Sequence, residues 1–148
     1  MLRFCALPAL AMTLLFAVPA LADPCEAVPK KGPTPPHLRP GARFSGPVAH
    51  VIDGDGLCVA TGPGRRDWVE VRIADFYAPE LSEPGGPEAK AVLRRIAEGR
   101  EVACVAGRRS YDRVVARCRL DGRDLGERMR AAGVREGGRG KGPTPGRF

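Results

Sequence analysis

Four cysteines, Cys25, Cys58, Cys104 and Cys118, follow a leader that reads as an export signal. An even set of cysteines in an exported chain is read as disulfides, and two such bonds restrict the fold more than any other feature here. The sequence leaves three pairings open. Cys104 and Cys118 flank a turn-like stretch from Arg108 to Asp112, so they can face each other on adjacent antiparallel strands. That leaves Cys25 to tie the N-terminal segment to Cys58. A four-cysteine zinc site is the rival, but no Cys-x-x-Cys spacing is present.

The leader carries Arg3 as its only charge, an almost wholly apolar run from Ala9 to Val18, and the small-x-small pattern Ala20-Leu21-Ala22. Cys5 lies inside it, with no lipobox-like Leu-x-Gly-Cys. The apolar run is too short to span a bilayer, which argues against a membrane anchor. Residues 1–22 are thus expected to be a signal peptide, and the protein to be periplasmic or secreted. Cleavage after Ala22 leaves 126 of the 148 residues, enough for one small domain. It also takes the net charge from +7 to +6, with arginine outnumbering lysine. A basic surface suits phosphate-bearing polymers, although a solvated arginine-rich surface would look the same.

Residues 23–42 hold six prolines and no hydrophobic periodicity, and read as an extended linker pinned at Cys25. The folded domain is placed at 43–136. Val48–Asp53 and Leu57–Thr61 read as short strands joined through Gly54-Asp55-Gly56. In the next strand, Trp68–Ala74, Val69, Val71 and Ile73 point one way while Glu70 and Arg72 point the other. Pro87–Glu98 reads as a helix with an apolar stripe of Ala89, Val92, Leu93, Ile96 and Ala97, stopped by Gly99. Strands follow at Glu101–Val105 and Val114–Leu120, with a turn at Asp121-Gly122. A second helix opens at Asp124 with Glu127 completing a capping-box-like pattern; Leu125, Met129 and Ala132 form its inner face. The tail, 137–148, is rich in glycine and basic residues without an acid, and is expected to be disordered. The pattern alone defines an α+β class.

Several short motifs carry chemistry. Asp53-Gly54-Asp55 offers carboxylates, though it is also a common turn sequence. Arg72 precedes Glu80 by eight residues, and Tyr111-Asp112-Arg113 follows; separately these could be a surface ion pair and a hairpin turn in which Asp112 tolerates a left-handed conformation. Together they suit phosphodiester cleavage. A glutamate can activate water, two guanidiniums can offset charge on phosphorus, and aspartates can hold Ca²⁺. His37 in the linker, His50 in a strand, and Phe44 and Trp68 are read as structural.

In this order and spacing, from Val48 to Val134, the chain resembles the staphylococcal-nuclease-like (thermonuclease) family. The resemblance implies a mainly β, OB-fold-type five-stranded Greek-key barrel with two helices. It puts Arg72, Glu80 and Arg113 on the catalytic positions and Asp55 on a calcium-ligand position. DNA or RNA is the implied substrate or ligand, and a monomer is expected. Four departures stand out. Tyr77 occupies the place of the second ligand aspartate, and Gly56 that of a threonine. Asp112 replaces the glycine between tyrosine and arginine, and Arg109 stands where a turn aspartate is common. Asp75 could substitute for the lost carboxylate if the turn is rearranged. The functional expectations are therefore an exported nuclease, a non-catalytic nucleic-acid-binding barrel with a degraded metal site, and a disulfide-stapled envelope or interaction domain whose basic surface is incidental.

Overall fold

The computed structural model describes residues 23–138; the expected signal peptide and all of the tail beyond Gly138 lie outside them. Six strands form one sheet: β1 (Arg43–Val51), β2 (Gly56–Ala60), β3 (Trp68–Ile73), β4 (Glu101–Ser110), β5 (Arg113–Leu120) and the two-residue β6 (Arg123–Asp124). Their order is β3-β2-β1-β4-β5-β6, and β3 also pairs with β5, which closes the first five strands into a barrel. Neighbours are antiparallel except at that closing seam, where Val71, Arg72 and Ile73 run parallel to Val114, Val115 and Ala116. Two helices, α1 (Gly86–Ala97) and α2 (Leu125–Ala131), complete a mainly β, OB-fold-like α+β domain.

Alternation explains the barrel. Val69, Val71 and Ile73 of β3 and Val114, Ala116, Cys118 and Leu120 of β5 are buried, while Glu70, Arg72, Arg113, Val115, Arg117 and Arg119 face outward. Helix α1 adds Ala89, Leu93 and Ala97 to the core, and α2 adds Leu125 and Met129. Ala132, expected on the inner face of α2, is exposed.

Two strands are longer than the expected ones. β1 begins at Arg43 rather than Val48 because its first half pairs with β4 and its second half with β2. Gly46 marks the passage: a Cβ there would meet the Ala60 carbonyl oxygen at 1.9 Å. β4 continues past Val105 to Ser110 through an irregularity between Ala106 and Arg109. The turn from Ser110 to Arg113 is therefore two residues long, and Tyr111, not Asp112, takes the left-handed conformation with φ of 60°. The capping box expected at α2 does not form. Asp124 is the N-cap residue, but its carboxylate pairs with Arg119 at 2.7 Å and Arg117 at 3.6 Å.

Both disulfides pair as the sequence reading expects. Cys104 and Cys118 are direct partners across β4 and β5, and Cys25 is bonded to Cys58 on β2. Two disulfides are compatible with an exported protein. The proline-rich segment, however, is a packed strap rather than a free linker. Val28 and Leu38 are buried in the core cluster, and the Ala27 N–H donates to the Trp68 carbonyl at 3.0 Å. Arg109 donates to the carbonyls of Pro29, Gly32 and Tyr111, fastening the strap to the β4–β5 turn. β2 is consequently covered on both faces, by the core inside and the strap outside. Among the described residues no helix is long and apolar enough to cross a membrane.

Candidate functional site

The barrel seam sets the site. Parallel pairing aligns Arg72 with Val115, so Arg113 lies one alternation down β5 on the same outward face, level with Glu70. Strand spacings put the two arginine Cα atoms roughly 8 Å apart, within reach of one phosphoryl group for side chains of this length. Gly56 is the partner of Arg72 on β2, and a Cβ there would meet the Asp53 Oδ1 at 2.7 Å.

Asp55 sits just before β2, 4% exposed. Its Oδ2 accepts from the Ala78 N–H at 3.0 Å and pairs with Arg72 Nη2 at 3.4 Å. The tight loop that carries it requires Gly54, where a Cβ would meet the Ala78 and Ala89 side chains at 2.5 and 2.6 Å. Asp53 Oδ1 accepts the Asp55 N–H at 3.0 Å, so this aspartate serves the turn. Burial first, then the Asp53 charge, pushes the Asp55 carboxyl up to about 6, while the Ala78 hydrogen bond and Arg72 pull it down.

After β3 the chain turns and brings Tyr77 and Glu80 to the same place. Tyr77 is 7% exposed, and the Arg72 guanidinium carbon lies 5.8 Å from its ring centroid. Burial, followed by the charges of Glu83 and Glu80, raises its phenol. Glu80 is exposed, close enough for its charge to bear on both Asp55 and Tyr77. Asp75 is turned away. Its carboxylate lies against Gly126 of α2 and pairs with Arg130 at 3.8 Å.

The residues present do not fit a tightly held calcium ion. Of the two expected ligand positions only Asp55 carries a carboxylate, with one oxygen already engaged by Ala78 and Arg72. A neutral phenol occupies the second position, and Asp75 faces another part of the fold.

A second acidic group escaped the sequence reading. One carboxylate oxygen each from Asp23, Glu70 and Asp112 lie within 4.8 Å of one another. Asp23 arrives because Cys25 is bonded to Cys58, and Cys58 is the strand partner of Glu70. Burial, then Asp23 and Asp112, pushes half-buried Glu70 up to about 7, and Arg113 relieves it. Glu70 is thus a partly neutral neighbour, and Arg113 Nε is buried without a hydrogen-bond partner. The spacing of Cys25 and Cys58 was the available signal, since it places Asp23 once the pairing is assumed.

The raised Asp55 carboxyl has a consequence for stability. The folded protein keeps that proton up to about pH 6, whereas the unfolded chain releases it near 3.8. The folded state binds more protons in that window, so stability falls as pH rises through it, by up to about 3 kcal/mol. Glu70 acts in the same direction toward pH 7, weakened by solvent. Urea midpoints at pH 4.5, 5.5 and 7 should decrease in that order, and Asp55→Asn should flatten the lower part. Stability that rises from pH 4.5 to 6 would contradict this account.

No protein-family model matches the chain, and no curated protein matches it. The fold is a closed five-stranded mixed barrel with two helices.

Proposed function

We propose that the protein is an exported nuclease that hydrolyses phosphodiester bonds in DNA or RNA. The observation that carries this reading is the seam register, which sets Arg72 and Arg113 on one outward face with the Glu80 loop at its end. Glu80 takes a proton from water, whose oxygen bonds to phosphorus as the bond to the leaving oxygen breaks. The leaving oxygen takes a proton from solvent, giving a phosphate monoester and an alcohol. Arg72 and Arg113 offset the added charge on the phosphoryl oxygens. The test is incubation of purified protein with denatured DNA and RNA, with calcium and with chelator. Cleavage abolished in Glu80→Gln is expected. Cleavage unchanged in that variant would sink the mechanism, and no cleavage with any divalent ion would sink the enzyme.

Tyr77 favours a second reading, a barrel that binds nucleic acid without turnover. Its buried ring stands where a ligand carboxylate would be needed. Calorimetry should show weak or no Ca²⁺ binding in the wild type and a gain of about tenfold or more in Tyr77→Asp, because a second anion then faces the cation. Asp75→Asn should change nothing, since Asp75 is held by Arg130. Tight wild-type binding lost in Asp75→Asn would overturn this view of the loop. The binding reading is favoured over the nuclease if Tyr77→Asp gains metal-dependent cleavage from an inactive wild type.

A further inference from the structure

The outward row of β5 does not stop at the seam. Beyond Arg113 it continues through Val115 to Arg117 and Arg119, one outward residue at every second position. On the neighbouring strands, Arg43 of β1 is the partner of Val105 on β4, and Val105 is the partner of Arg117; one row along, Ser45, Ala103 and Arg119 are aligned in the same way. These residues line one open groove together with Phe44. Its floor is apolar, with Val105 43% exposed, and no carboxylate is among the lining residues. Arg117 and Arg119 both pair with the Asp124 carboxylate, at 3.6 and 2.7 Å, which helps to orient their guanidiniums.

We propose that this groove is a binding track for single-stranded nucleic acid, which extends from the Arg72–Arg113 pair along β5. The proposal rests on the nuclease reading for its direction, and on the groove for its chemistry. Alternate residues of a strand advance about 6.6 Å, near the reach of one extended nucleotide, so Arg113 to Arg119 spans roughly 20 Å, or about three nucleotides. Arginines hold successive phosphates, and the bases rest on Val105, Ala103 and the edge of Phe44. A ligand combining evenly spaced anions with flat apolar groups matches such a surface better than a purely acidic chain does.

The test is fluorescence anisotropy on the full protein with labelled phosphorothioate oligothymidylates of two and twelve nucleotides, the shorter too short to cover the track. The longer probe should bind at least tenfold tighter. Arg117→Gln/Arg119→Gln should lose about tenfold affinity for the twelve-mer and lower its salt dependence, with a smaller loss for the dinucleotide. Arg43→Glu, which keeps the Asp124 pairs, should act in the same direction. The control Arg66→Gln/Arg95→Gln removes equal charge elsewhere and should change affinity less than threefold. Equal losses in the control, no dependence on length, or polyglutamate binding as tightly as the twelve-mer would each overturn the track. Hydrolysis of thymidine 5′-(p-nitrophenyl phosphate) on the same samples keeps the two readings separate. Its absence with length-dependent binding removes the nuclease and supports the track, while its presence without length dependence supports the nuclease and overturns the track.

Discussion

Arg113→Ala should lower turnover of a small phosphodiester by about 10²–10³-fold, the usual effect of removing one group aimed at the developing charge. A small substrate is the right probe because it reaches the seam without occupying the rest of β5. Arg113 has the geometry for the role: it faces outward beside Arg72 on the closing seam, and its Nε is buried without a partner. Arg113→Lys keeps the charge but replaces a planar fork with a point donor, and should recover little of the loss. Removing the cation should also push the Glu70 carboxyl further up, because Arg113 is what relieves it. Turnover that is unchanged in Arg113→Ala would end its assignment as a phosphate clamp.

Cys25→Ala/Cys58→Ala should destabilise the protein by about 4 kcal/mol, and Cys104→Ala/Cys118→Ala by about 3 kcal/mol, on the chain-entropy account of loop closure. The bonded residues are 33 and 14 positions apart, so the longer loop gains more from being closed. For a domain of this size such losses lower the melting temperature by on the order of 10 °C or more. Loss of the Cys25–Cys58 bond has a second effect that separates the two. Asp23 is no longer held beside Glu70, so the Glu70 carboxyl should move back toward its usual range, which NMR titration can follow. Thiol titration of unfolded, unreduced protein should find no reactive cysteine. Two reactive thiols would contradict the bonding scheme.

The sequence exposes those parts of the fold whose determinants are local. Helix α1 lies within one residue of its expected bounds because Pro87, an apolar stripe and Gly99 mark its ends and face. β3 follows from strict alternation, and the Cys104–Cys118 pair from two cysteines flanking one turn. Arg43–Pro47 is hidden because Gly46 and Pro47 disfavour strands, and only pairing with β4 makes them one. The strap is hidden for a related reason: Val28 and Leu38 are isolated apolar residues among prolines, and their burial depends on distant partners. At α2, local capping propensity pointed to Asp124, but two arginines brought by β5 compete for its carboxylate. The site shows the same division. Arg72, Glu80 and Asp55 are legible as motifs, whereas the grouping of Asp23, Glu70 and Asp112 exists only through a disulfide and a strand register.

The barrel closes through three parallel residue pairs whose members are 43 positions apart in the chain. Neither disulfide crosses that seam: one joins β4 to β5 and the other joins the strap to β2. The covalent staples therefore brace both flanks and leave the junction to hydrogen bonds and packing. Contacts of such sequence separation are slow to form, and a short unstapled junction is a natural place for partial opening. Arg72 and Arg113 stand on opposite sides of it. Parting β3 from β5 would separate the two guanidiniums while the rest of the barrel stays folded, so phosphate capture would report on closure of the seam itself, ahead of global unfolding.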